Sequence, residues 1–127
     1  MKKVIYTPEA PKAIGAYSQA VEVNGMLFVS GQIALDPATQ RLVEGGIVEQ
    51  TGRVLVNIRN ILKEAGYGIE EVVKVTILLK DIRHFAEVNQ LYSEMFADNP
   101  PARATYEVAN LPLGSLLEVD AIAVKSA

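Results

Sequence analysis

The chain has 127 residues, half of them hydrophobic, and a mean hydropathy of +0.19, which suits one small soluble domain with a substantial core. A net charge of −3 and scattered basic residues, with Lys2 and Lys3 the one adjacent pair, argue against nucleic acid as a partner. The chain has no cysteine, which excludes disulfides and thiol-based sites. The N-terminal lysines precede no apolar run and no stretch reaches the roughly 20 apolar residues of a membrane span, so we expect a cytoplasmic protein.

A β-hairpin is the clearest local signal in the first third of the chain. Asn24 and Gly25 tolerate the positive φ angles of a type I′ turn, and they separate two apolar stretches at residues 21–23 and 26–30. A short strand at residues 4–6 precedes the hairpin. A loop that contains Asp36 and Pro37 is expected to follow it.

Two helices and three strands are predicted over the remainder of the chain. Apolar residues recur at helical spacing over residues 48–65, and Gly66 is a typical helix stop. β-Branched residues predict a strand at residues 71–79. Asp81 suits the N-cap of a second helix, which runs to about residue 97. Strands at residues 103–108 and 116–124 complete the pattern.

The element order predicts an α/β (α+β) domain in which two helices cover one face of a sheet. Strand alternation puts apolar side chains on both faces of the strand at residues 71–79. One face carries Val73, Val75, Ile77 and Leu79, and the other carries Val72 and Leu78. No predicted helix remains for the second face, so the pattern favours self-association over cover by loops.

Metal and phosphate sites have little support in the sequence. His84 is the one histidine, and it has no partner at ligand spacing, so we interpret it as a surface or helix-end residue. Neither a P-loop nor a G-x-G-x-x-G motif occurs. We therefore expect no cofactor.

Two polar residues near the second helix are candidates for ligand contact. Asn89 shares a helical face with Phe85, Tyr92 and Phe96, although the pattern alone favours a structural amide there. Arg103 follows Pro100-Pro101 and lies between two alanines. Its planar guanidinium suits a carboxylate, yet the pattern alone favours an ordinary salt bridge.

Acidic residues on the last strand are candidates for proton transfer. Glu118 and Asp120 share a face with aliphatic residues, which tends to raise a carboxyl pKa and suits general acid–base work. The alternatives are a solvated strand or pairing with a basic residue. Glu107 shares a face with Arg103 and could pair locally. Tyr17, in an uncharged segment, could bind a ligand or cap the core.

Taken together, these segments resemble the Rid family, also called YjgF or RidA, whose members are reactive-intermediate deaminases. The resemblance runs nearly end to end. It is carried by AIGAYSQA (residues 13–20), VSGQI (29–33), FAEVN (85–89), PAR (101–103), EVA (107–109), LP (111–112) and EVDAIAV (118–124).

The resemblance implies a chorismate-mutase-like fold of the bacillary type, with a mixed sheet, assembled as a homotrimer with three clefts between subunits. It also implies a cofactor-free hydrolase that converts 2-aminoacrylate- or 2-aminocrotonate-type enamines and their 2-imino acid tautomers to 2-oxo acids and ammonia. Pyridoxal-phosphate dehydratases, which release such intermediates, are the implied functional partners.

The same resemblance implies roles for individual residues. The arginine matching Arg103 grips the substrate carboxylate, and the acid matching Glu118 activates water. The remaining implied substrate-binding residues are Tyr17, Ser30, Gly31, Asn89 and Thr105. Relatives often carry cysteine at the position of Thr105, so a thiol mechanism is not available to this chain.

Three other functions are compatible with such a fold. The cleft could bind a 2-oxo acid or another small carboxylate without turnover, as a regulatory module. RNA cleavage or translation inhibition is attributed to some relatives, but the acidic pI of about 5.2 argues against it. Chorismate mutase chemistry would need several cationic groups around a dicarboxylate, and Arg103 is the one that we can assign.

Overall fold

A computed structural model describes residues 1–126, which form one α+β domain with a mixed six-stranded sheet and two α-helices. The sheet comprises β1 (Lys3–Ile5), β2 (Ala20–Val23), β3 (Met26–Gln32), β6 (Val72–Leu79), β7 (Ala102–Glu107) and β8 (Leu117–Val124). Their order is β1-β2-β3-β8-β6-β7, with β6 and β7 parallel and the other neighbours antiparallel. The helices are α1 (Ile47–Ala65) and α2 (Phe85–Met95).

The predicted hairpin is confirmed as β2 and β3. Asn24 and Gly25 have φ angles of 51° and 73°, so both central residues of the turn are left-handed, as a type I′ turn requires. The other predicted strands match the observed strands to within one residue at each end. The expected loop after the hairpin instead contains a small second sheet, in which β4 (Leu35–Asp36) pairs with β5 (Arg41–Leu42).

Helix α1 is confirmed, and Gly66 ends it in the left-handed conformation with φ of 83°. One side of α1 packs on the sheet through fully buried aliphatic side chains that include Val54, Ile58 and Ile61. Burial of this apolar stripe is the main stabilisation of such an amphipathic helix. Neither helix within residues 1–126 is long and apolar enough to cross a membrane.

The second helix is shorter than predicted. Asp81 caps a 3-10 turn, Ile82–His84, rather than the α-helix, because its carboxylate accepts a hydrogen bond from the Arg83 N–H at 2.9 Å. Helix α2 then begins at Phe85, with His84 as its N-cap, and ends at Met95. The interpretation of His84 as a helix-end residue is confirmed.

The predicted faces of β6 need one correction. Val75, Ile77 and Leu79 lie on the helix side and are buried, as expected. Val73 is 45% exposed while Val72 is buried, which is the reverse of the prediction. The cause is an irregularity in the pairing with β8 between residues 72 and 74, which shifts the alternation by one residue.

The opposite face of the sheet carries apolar side chains that no helix of residues 1–126 covers. Val4, Val21, Phe28 and Ile122 are in register across four strands on this face. Val4 is 58% exposed and Phe28 is 36% exposed. An apolar surface that crosses four strands is typical of a protein–protein contact.

Candidate functional site

The predicted site residues other than Thr105 lie around two separate clefts. The first, the Glu118 cleft, has a volume of about 490 Å³, and its lining includes Tyr17, Ser30, Gly31 and Glu118. The second, the Arg103 cleft, has a volume of about 430 Å³, and its lining includes Asn89, Tyr92 and Arg103.

A β-bulge shapes the Glu118 cleft. Two residues of β3, Ser30 and Gly31, face the single residue Asp120 of β8. The bulge brings the Gly31 backbone close to the Glu118 side chain. A Cβ atom added at Gly31 would lie only 2.7 Å from the carboxyl carbon of Glu118. Glycine is therefore needed at this position for the carboxyl group to lie where it does.

Burial raises the pKa of Glu118 above its ordinary value, and the nearby charge of Asp120 raises it further. Burial also raises the pKa of Asp120, although hydrogen bonds from Thr76 and the charge of Lys74 oppose the change. The predicted direction of both shifts is thus confirmed. A carboxyl group with a raised pKa beside an open cleft can accept a proton from water and return it at neutral pH.

Local hydrogen bonds hold the wall of this cleft. The Tyr17 hydroxyl accepts a hydrogen bond from the Ile14 N–H at 3.1 Å, and the Ser30 hydroxyl donates to the Ser18 carbonyl at 2.6 Å. Gln19 is buried and binds the Thr7 N–H at 2.7 Å through its amide oxygen. Sequence reasoning missed this role of Gln19, since an uncharged segment does not show which amide is buried.

In the Arg103 cleft, the guanidinium of Arg103 is held by α2. Its Nη1 donates to the Asn89 Oδ1 atom at 2.7 Å, and its Cζ lies 4.8 Å from the ring centroid of Tyr92 and 5.3 Å from that of Phe85. No carboxylate of residues 1–126 lies within 4 Å of this guanidinium. The salt-bridge interpretation of Arg103 is therefore wrong, because its partner within residues 1–126 is the side-chain amide oxygen of Asn89. The interpretation of Asn89 as a structural amide is compatible with this bond.

Two further predicted residues lie near Arg103 on β7. Thr105 is in register with Ile77, and its buried hydroxyl has no hydrogen-bond partner within residues 1–126. Glu107 accepts a hydrogen bond from the Ile82 N–H at 2.9 Å, so its local partner is a turn rather than Arg103. In the same described part of the chain, no three acidic or histidine side chains are grouped to hold a metal ion.

Strand register separates the two clefts within one chain. Arg103 is paired with Val75, whereas Glu118 is paired with Leu78. Val75 and Leu78 are three residues apart on β6, so their side chains leave opposite faces of the sheet. Arg103 accordingly lies on the helix side and Glu118 on the uncovered side, and a single chain does not bring them together.

Comparisons with known proteins agree with this architecture. A protein-family model described as Endoribonuclease L-PSP matches residues 7–125. The chain is 52% identical over 125 residues to a 2-iminobutanoate/2-iminopropanoate deaminase of Rattus norvegicus, which covers 98% of this chain and 91% of that protein.

Solved structures are similar over nearly the whole chain. A protein of Thermotoga maritima has a TM-score of 0.97 at 50% identity, and the match covers all of both chains. The structure of E. coli TdcF with bound serine has a TM-score of 0.93 at 36% identity and covers 98% of this chain and 99% of that one. Near full-length identity of this size, together with the matching fold, shows that the chain belongs to the Rid family, also called the YjgF or L-PSP family.

Proposed function

We propose that this protein hydrolyses short 2-imino acids, such as 2-iminobutanoate and 2-iminopropanoate, to 2-oxo acids and ammonia. One observation supports the proposal above all others. Arg103 and Glu118 lie on opposite faces of one sheet, and each lines its own open cleft, so each cleft holds one of the two groups that the reaction needs. An anion-binding guanidinium and a carboxyl group with a raised pKa are complementary parts of one hydrolytic site. Two copies of the chain would supply one part each.

The assembly that completes the site is a homotrimer in this proposal. The uncovered face beside Glu118 is apolar across four strands, so a second copy docked there would bury it. Such a copy would bring the edge that carries Arg103 to the Glu118 cleft. The number three rests on the resemblance to the Rid family.

Arg103 binds the substrate carboxylate. Its guanidinium is held by Asn89 and by two aromatic rings, so little side-chain freedom remains to be lost on binding. A planar guanidinium donates two parallel hydrogen bonds to a carboxylate, which orients the imine carbon as well as attracting the anion.

In this proposal, Glu118 activates the water molecule that attacks the imine carbon. Its carboxylate removes a proton as the water oxygen bonds to the imine carbon, and the imine nitrogen takes up a proton from solvent to give a carbinolamine. The carboxyl group then donates its proton to the departing nitrogen while the carbon–nitrogen bond breaks. The hydroxyl group returns one proton to solvent, which leaves the 2-oxo acid and ammonia. The reaction written in this way requires no cofactor.

Relatives support a ligand of this size. The Rattus norvegicus relative is named for 2-iminobutanoate and 2-iminopropanoate, and TdcF was solved with serine, which is a three-carbon amino acid. Pyridoxal-phosphate dehydratases that act on threonine or serine generate the corresponding intermediates, so such an enzyme is the functional partner that we propose.

The test couples the protein to a threonine dehydratase and follows loss of the imine intermediate. We expect faster loss with the wild type and little acceleration with Arg103→Ala. Arg83→Ala is the matched control, because Arg83 is paired with Asp81 at the surface outside both clefts. No acceleration by the wild type, or full acceleration by Arg103→Ala, would contradict the proposal.

A further inference from the structure

Two side-chain amides lie on the buried side of α1, among aliphatic residues. Gln50 is 6% exposed and Asn57 is fully buried. Seven positions along a helix are close to two turns, so both amides lie on the same side of α1. A buried amide without partners destabilises a protein, whereas an apolar side chain of the same shape packs there at little cost. The partners of these two amides therefore indicate what they contribute.

Asn57 holds the segment that follows β3. Its Nδ2 donates to the Ile33 carbonyl at 3.3 Å and to the Leu35 carbonyl at 3.0 Å. Its Oδ1 accepts a hydrogen bond from the Arg53 Nε at 2.9 Å, so both ends of the amide are bonded. Ile33 comes two residues after Gly31, and Asn57 therefore ties the end of the bulged strand to the helix.

Gln50 holds the segment that precedes β8. Its Oε1 accepts a hydrogen bond from the Leu116 N–H at 2.9 Å, and the Leu116 carbonyl accepts one from the Lys80 N–H at 3.0 Å. The backbone of Leu116 is thus bonded both to α1 and to the residue that follows β6. Glu118 lies two residues further along the chain, as the second residue of β8.

The two segments that α1 holds lead directly into the closest contact of the Glu118 cleft. The Gly31 backbone lies so near the Glu118 carboxyl group that a Cβ atom would not fit between them. Because packing this close leaves no slack, even a small shift of β3 or β8 changes the surroundings of the carboxyl group. The bonds made by Gln50 and Asn57 lie on the helix side of the sheet, away from the face on which a second copy would dock.

We infer that Gln50 and Asn57 are positioning residues, which fix the β3 bulge relative to the start of β8 and so hold the Glu118 carboxyl group in its reactive position. The catalytic consequence of this inference rests on the proposed function. The placement of the carboxyl group itself does not, because it can be measured without a substrate.

Substitutions of similar size separate positioning from packing. Gln50→Met and Asn57→Leu keep the approximate volume of each side chain and remove its hydrogen bonds. Thr51→Val is the matched control, because Thr51 is 1% exposed on the same helix and its hydroxyl donates to the Ile47 carbonyl of α1 at 2.7 Å. Gln50→Glu is the conservative variant, since it keeps an acceptor for the Leu116 N–H and places an acidic group near the N-terminus of α1.

The first measurement is the titration of the Glu118 carboxyl group by carbon-13 NMR, with its signal assigned from Glu118→Gln. We expect Gln50→Met and Asn57→Leu each to lower the pKa of Glu118 toward its ordinary value, because a displaced strand opens the carboxyl group to water. Thr51→Val should titrate as the wild type does. An identical Glu118 titration in the wild type and in both amide variants would overturn the inference.

The second measurement is the kinetics of imine loss in the dehydratase assay. We expect kcat to fall about ten-fold or more in Gln50→Met and Asn57→Leu with KM within about two-fold, because Asn89 still holds Arg103 for the substrate carboxylate. Gln50→Glu should restore most of kcat. If Thr51→Val loses as much kcat as the amide variants for the same loss of Tm, the amides have only a structural role and the inference is wrong.

The outcomes distinguish this inference from the proposed function. If the wild type does not accelerate imine loss, the deaminase proposal fails, and the NMR titration still decides whether the amides position Glu118. If the wild type is active and both variants titrate and react as it does, positioning is overturned and the deaminase proposal is unaffected. Either amide variant is sufficient for this decision, because each one acts on a different strand.

Discussion

Arg103 and Glu118 leave opposite faces of the same sheet, because Arg103 is in register with Val75 and Glu118 with Leu78 on the shared neighbour β6. Successive side chains of a β-strand point to opposite faces of the sheet, so the backbone fixes the face of each residue and a change of side-chain rotamer does not alter it. In the proposed reaction, which uses both residues, two copies of the chain would each supply one of them. This relationship gives the most direct test of the proposed site.

Mixing two inactive variants should restore activity. In a random mixture of Arg103→Ala and Glu118→Gln copies, a site that takes one residue from each of two neighbours is intact in about a quarter of cases. We expect about that fraction of wild-type activity after the two are refolded together, measured as imine loss in the dehydratase assay. Activity that stays at the level of the separate variants, in a mixture shown to have exchanged subunits, would contradict a shared site.

Glu118→Gln should reduce activity while leaving the protein equally or more stable at neutral pH. Burial raises the pKa of Glu118 above its ordinary value of 4.5, so the stability contributed by the protonated group is present at low pH. That stability is lost as pH rises through the folded-state pKa. Thermal unfolding at several pH values should show an advantage for glutamine near pH 7 that disappears below pH 4.5. A variant that is less stable at every pH would refute this account.

Asp120→Asn should move the acid limb of the pH–rate profile to lower pH. The charge of Asp120 helps to raise the pKa of Glu118, so its removal lowers that pKa and keeps the base ionised in more acidic solution. Activity at neutral pH should change little. The profile of kcat/KM against pH reports the shift, and an unchanged acid limb would mean that Glu118 is not the base.

Gly31→Ala should reduce kcat by about a hundred-fold, because even a small displacement of a reacting group has effects of this order. The added Cβ would lie 2.7 Å from the Glu118 carboxyl carbon, so the side chain must move. Gly52→Ala is the matched control, since nothing lies within 4 Å of its Cβ position in α1. That control should gain about 1 kcal/mol of stability and keep full activity. Equal kcat values for the two variants would contradict the positioning role.

Asn89→Asp should raise KM about ten-fold or more with a smaller effect on kcat. The new carboxylate would replace the amide oxygen that lies 2.7 Å from Arg103 and would compete with the substrate carboxylate for the guanidinium. Gln90→Glu is the control, because it adds the same charge to the next residue, which is exposed. If both substitutions raise KM equally, the effect is one of net charge rather than of competition at Arg103.

Local signals in the sequence predicted much of the fold. The Asn24-Gly25 turn and the Gly66 helix stop depend on backbone conformations that few residues adopt easily, so their positions were visible without tertiary structure. The sequence did not predict the 3-10 turn after Asp81, because an aspartate can cap either a 3-10 turn or an α-helix. In the structure, the hydrogen bond from the Arg83 N–H to Asp81 belongs to the 3-10 turn.

The element order, the apolar stripe of α2 beside Asn89 and the acidic pair on the last strand follow from the order of residues along the chain. Which face of the sheet is covered, and what these residues bind, depends on contacts between segments that are distant in the chain. Arg103 binds Asn89 rather than an acid, and the bulge at Gly31 brings the backbone against Glu118. The reason is physical: helix and strand periods depend on neighbours in the chain, whereas register, bulges and burial depend on strands distant in sequence.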